Sequence, residues 1–155
     1  MAKDKLLTAV TSIALLTLLI IIAVSFSANQ KFIIGPLLIF LGIVSFVSAL
    51  IFKIPLHSLR PDIIFGLIDN GILAVFALIG AELFGVWGAI VGGAVGNAIT
   101  DGFAGIFEGH EAQRMRKLKI DDKRTALISA TGKLAGCLFG AGVVLTIVWT
   151  ILGIG

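Results

Sequence analysis

Charged side chains are scarce in this chain. Asp, Glu, Lys and Arg make up 14% of its 155 residues, against 58% hydrophobic residues. Soluble domains carry about 25% charged residues, and one of this size could not cover so much apolar surface. The mean hydropathy of +1.11 points the same way. Cysteine is nearly absent. Cys137 alone excludes an intramolecular disulfide and any cysteine-rich metal site, and its apolar surroundings read as packing. The two methionines, Met1 and Met115, stand at an end and in a connection, so soft ligation of copper has no donors. No serine, histidine and acid are arranged for nucleophilic work. An enzyme is therefore not expected, nor a bound cofactor.

What the chain has in abundance is long apolar runs. Five are legible, at residues 6–26, 32–52, 61–80, 84–107 and 126–154. A crossing of the hydrocarbon layer takes about 20 apolar residues, so residues 1–155 form one transmembrane domain with little to spare. Helices are the expected form, because a β-barrel would show short alternating segments and an unpaired backbone cannot sit in hydrocarbon. The fold class is thus an all-α integral membrane protein of five transmembrane helices. Residues 6–26 follow a basic start, as a signal peptide does. The run is long for one, and Phe26 spoils the small-residue pattern before Ala28. It is kept as a span. Pro61 suits the first turn of the third helix.

The net charge of +3 is distributed by topology and does not mark a nucleic-acid surface. With the N-terminus in the cytoplasm, Lys3, Lys5, Lys53, Arg60, Arg114, Arg116, Lys117, Lys119, Lys123 and Arg124 all fall inside, most of them in a basic loop at 108–125. Only Lys31 falls outside, and Lys133 lies within the last span, able to snorkel inward or to pair with an acid. Five spans then put the C-terminus outside. The localisation expected is a multi-pass membrane protein, in the cell membrane if the source is prokaryotic.

Chemistry is expected in the third and fourth spans. The first two are uncharged, whereas Asp69 and Asn70 lie in the third and Asn97, Thr100 and Asp101 in the fourth. Ionisable groups within a span cost at least a few kcal/mol (~3) and normally face a partner or a water path. At 1.5 Å per residue, Asp69 is roughly 12 Å from the cytoplasmic start of its helix, and Asp101 roughly 13 Å from the cytoplasmic end of the next. Asn97, Asp101, Ala104 and Glu108 share one helical face. These positions predict an oxygen-lined metal site of Asp69, Asn70, Asn97 and Asp101, with Glu108, Glu111 and His110 at its cytoplasmic mouth. Hard oxygen donors suit Mg²⁺, Mn²⁺ or Fe²⁺. Two carboxylates in one site also repel, which favours holding a proton when the cation leaves. The fourth span carries Gly85, Gly88, Gly92, Gly93 and Gly96, and the fifth carries Gly132, Gly136 and Gly140 at four-residue spacing, which predicts close helix packing.

The stretch LRPDIIFGLIDNGI (Leu59 to Ile72) resembles the first span of the vacuolar iron transporter family, which has an Arg-Asp start and a Gly-x-x-Asp-Gly-like motif. AIVGGAVGNAITDGFAGIFEGHEAQRM (Ala89 to Met115) resembles that family's second span. The resemblance implies that Asp69 matches a metal-coordinating aspartate, that Thr100 and Asp101 stand near a Ser-Met pair, and that Gln113 and Arg114 stand near the motif's ending. It further implies export of Fe²⁺ or Mn²⁺ from the cytosol against protons, by a dimer with the metal path between protomers. Two spans precede the similar pair here and one follows, and the family's cytoplasmic metal-binding insert has no counterpart. The function expected is therefore transport of a divalent cation by a homo-oligomer, most simply a dimer, in the lipid bilayer. Two other readings compete. One is a non-transporting assembly or regulatory membrane protein. The other is a metal-dependent lipid phosphotransferase, because Asp101-Gly102 opens like the CDP-alcohol phosphotransferase signature. The Ala-Arg that should follow is missing, and Asp121/Asp122 do not repeat at the required spacing.

Overall fold

The computed structural model describes residues 2–51, 55–118 and 125–154. Their regular structure is helical: α1 (Ala2–Ser27), α2 (Lys31–Ile51), α3 (Leu56–Lys117) and α4 (Ala126–Leu145), which runs into a π-helical turn, Thr146–Ile151. Among the described residues four helices are long and apolar enough to cross a membrane: Leu7–Ser27, Lys31–Ala49, Leu56–Phe103 and Ala126–Ile151. Their outward faces suit hydrocarbon, not water, with Phe26 87%, Val86 81% and Ile106 74% exposed.

The sequence divides the third of these into spans at 61–80 and 84–107, whereas helical order runs through both. It does not run straight. Gly85 has φ 64° and ψ −147°, a region essentially reserved for glycine because a Cβ there collides with the backbone. The chain reverses at that residue. Gly80 comes against Gly88, Gly92 against the Phe76 carbonyl, and Gly96 against Leu73 and Phe76. α3 is therefore an antiparallel hairpin with limbs 56–84 and 86–117. The break expected at 81–83 falls slightly later, since Ala, Glu and Leu favour helix and the tight reversal needs the glycine.

Two further boundaries differ from expectation. α3 starts at Leu56, with Pro55 as its N-cap, so Pro61 lies beyond the first turn. At the other end the helix continues to Lys117 through most of the expected 108–125 loop. Its last turn carries Arg114, Arg116 and Lys117, which complement the negative end of the helix dipole. The rest of that basic segment, residues 119–124, and Lys53 lie outside the described residues.

α4 occupies the middle of the bundle, packed on the first limb of α3, on α2 and on α1. Thr125 caps its start by accepting the Ile128 N–H. Its glycines set the approach to α3: a Cβ on Gly132 would stand 2.8 Å from the Asp62 Cβ, one on Gly136 would overlap the Ile63 carbonyl, and one on Gly140 the Leu67 carbonyl. Across the same seam Gly66 meets the backbone at Lys133 and Cys137. On the α2 side, Gly142 meets Ile39, and Phe139 covers Gly42. Ala49, Leu59 and Ile128 make a small buried cluster where α2, α3 and α4 converge.

The π-helical turn is tied to the start of α2 by a side chain. Pro36 lies inside α2 and has no N–H to give the carbonyl four residues earlier, that of Phe32. Thr150 Oγ1 donates to that carbonyl instead, at 2.6 Å.

Candidate functional site

The small-residue stripe that closes the α3 hairpin also decides which polar group enters the interior. Gly88, Gly92 and Gly96 recur every four residues on the face turned to the first limb, and Thr100 is the next position on that face. Thr100 is buried, and its Oγ1 donates to Asp69 Oδ1 across the hairpin. Asp69 is itself buried, at 9% exposure.

The side chain brought onto Asp69 is thus Thr100, and the expected Asp69/Asp101 pairing is off by one residue. That is a rotation of about 100° on a helix. Asp101 is exposed and accepts from Asn97 Nδ2 at 2.9 Å. The expected shared face of Asn97 and Asp101 exists, but it points away from the first limb. Asn70 is half-buried. Glu108 and Glu111 fall in the helical extension, and their side chains lie outside the described residues. Lys133 Nζ stands 4.6 Å from the Phe65 ring centroid, a cation–π contact. Cys137 is a half-buried free thiol.

Asp69 and Thr100 line a cleft of about 620 Å³ between the limbs. Phe65, Phe103 and Phe107 form apolar walls, and His110 closes one end, the position expected of it at the mouth. Among the described residues no three His, Cys, Asp or Glu side chains gather, and the polar groups described on the cleft wall are the Asp69 carboxyl, the Thr100 hydroxyl and His110. A second polar pair was not anticipated. Asp62, 2% exposed, accepts from Ser129 Oγ at 3.0 Å across the α3–α4 seam. Its signal in the sequence is indirect: Asp62 is one turn from Gly66, which together with Gly132 marks the surface that α4 covers.

The Thr100 hydroxyl has one proton and three nearby acceptors. Besides Asp69 it lies 2.9 Å from the Asn97 carbonyl and 3.1 Å from the Gly96 carbonyl. The hydroxyl therefore joins Asp69 on the first limb to the backbone of its own helix. Replacing Thr100 with Val strips the donor from Asp69 and is expected to cost about 1–3 kcal/mol, read as a lower unfolding midpoint in detergent. Thr100→Ser should hold the wild-type value.

Compared with known family models, curated proteins and solved structures, the chain finds no match.

Proposed function

We propose that this chain is a five-span membrane protein, N-terminus in the cytoplasm, that carries a divalent cation of the Fe²⁺ or Mn²⁺ kind across the bilayer in exchange for protons. The observation that carries the reading is Asp69, a buried carboxylate on the wall of an open cleft, partnered by the Thr100 hydroxyl. A carboxylate so placed is costly in hydrocarbon and is usually part of a path for charge. The two limbs of α3 each supply a crossing, which makes four apolar helices into five spans.

One carboxylate and one hydroxyl do not satisfy a hard divalent cation, which takes about six oxygen ligands. The transporting unit is accordingly a dimer, with the exposed Asn97–Asp101 face of each protomer turned to its partner, where the acid escapes lipid and joins the path. The similarity of residues 59–115 to the vacuolar iron transporters supports the same assignment. Binding at Asp69 distinguishes it from an assembly protein. In a thermal-unfolding assay of the purified chain, Mn²⁺ at a hundredfold excess over its dissociation constant should stabilise by about 2.7 kcal/mol. The shift should vanish in Asp69→Asn. An equal shift in both proteins, or none in either, removes the reading.

A further inference from the structure

A second groove lies at the other end of the hairpin from His110 and plays no part in the proposed transport. It measures about 550 Å³ and runs between the end of the first limb of α3, the start of α2 and the C-terminal turn. Ile79, Val144 and Val148 give it an apolar floor, and Lys31, Glu82 and Trp149 complete its lining. Lys31 is half-buried, with its ammonium 5.6 Å from the Phe32 ring centroid, and Glu82 is exposed. Neither is engaged by an opposite charge among the described residues. The groove is held in shape by the Thr150–Phe32 hydrogen bond, which pins Trp149 beside the start of α2.

We propose that this groove binds one zwitterionic, amine-bearing phospholipid, with its phosphate at Lys31, its ammonium at Glu82 and its upper acyl chains on the apolar floor. Depth supports this. Lys31 begins α2, Glu82 stands just before the reversal at Gly85, and Trp149 is near the end of the last helix, so all three lie where helices end. Tryptophan favours that headgroup level because its ring is apolar and its N–H polar. The charges select the occupant. A lipid with only negative charge would leave Glu82 facing it, and a free anion would leave the floor open. An amphiphile carrying both signs answers all three features.

The test is retention of lipid by the full chain in detergent, read by native mass spectrometry during titration with phosphatidylethanolamine or phosphatidylglycerol of identical acyl chains. The wild type should retain phosphatidylethanolamine at least about fivefold better, a modest coupling of charges at a surface. Glu82→Gln should reduce it to the phosphatidylglycerol level, and Lys31→Gln should weaken both lipids. Glu82→Asp and Lys31→Arg should keep most of the preference, which separates lost charge from lost fold. Free phosphoethanolamine should not compete, because it lacks the chains. Equal retention of the two lipids by the wild type overturns the proposal, as does a preference that Glu82→Gln leaves intact. Asp69→Asn should retain lipid as the wild type does, so failure here and failure of transport are separate results.

Discussion

Asp69→Asn is expected to abolish metal uptake while leaving the protein folded. The amide still offers an oxygen to the Thr100 hydroxyl, so the hairpin keeps its interior hydrogen bond. What disappears is the carboxyl group on which the proposed exchange of protons for a cation rests. Removing a desolvated charged partner costs about 2–3 kcal/mol or more, which corresponds to roughly a hundredfold in affinity. Proteoliposomes loaded with a metal-sensitive dye provide the measurement. Mn²⁺ entry through the variant should fall to the level of empty vesicles, while circular dichroism and elution volume match the wild type. Uptake at the wild-type rate would show that Asp69 does not handle the cation.

The largest effect on stability is expected from Gly136→Leu. The first carbon of any side chain there overlaps the Ile63 carbonyl, and backbone cannot swing aside as a side chain does. α3 and α4 must then separate, and Gly132 and Gly140 lose their close approach along with it. Overpacking of this kind costs about 3 kcal/mol, or more where backbone must move, which is a large share of the roughly 5–15 kcal/mol that stabilises a domain. Gly109→Ala is the matched control. A Cβ at Gly109 meets nothing within 4 Å, and alanine is the better helix former by about 0.5–1 kcal/mol. Thermal unfolding in detergent should therefore drop sharply for Gly136→Leu and stay level or rise slightly for Gly109→Ala.

Much of this architecture was legible from the residues, and the exceptions have physical causes. Apolar length located α1, α2 and α4 to within a few residues, because length and hydropathy are the properties hydrocarbon selects. The ends of α3 were not legible. The charged residues that follow position 107 end a span without ending the helix, which continues to Lys117. The reversal was misplaced from 81–83 to Gly85, since polarity suggests a loop while backbone conformation decides the turn.

The site shows the same division. Counting residues put Asp69 level with position 101, and the contact that forms is with position 100, so depth was right. Depth alone says nothing of rotation, and the polar face of Asn97 and Asp101 was assumed to turn inward. The Gly88–Gly92–Gly96 stripe turns inward instead, because only small residues let the limbs approach. Extending that stripe by four residues leads to Thr100. Asp62 and Ser129 were harder to foresee, as they pair across helices far apart in sequence.

The central claim is that a divalent cation sits at the Asp69 carboxylate in the cleft between the limbs of α3. Anomalous diffraction at the manganese edge, from crystals of the chain grown with Mn²⁺, locates that ion directly. The account predicts a peak within coordination distance of Asp69, about 2.2 Å for a carboxylate oxygen on a cation of this size. Crystals that bind Mn²⁺ only elsewhere, with the cleft empty, would contradict it.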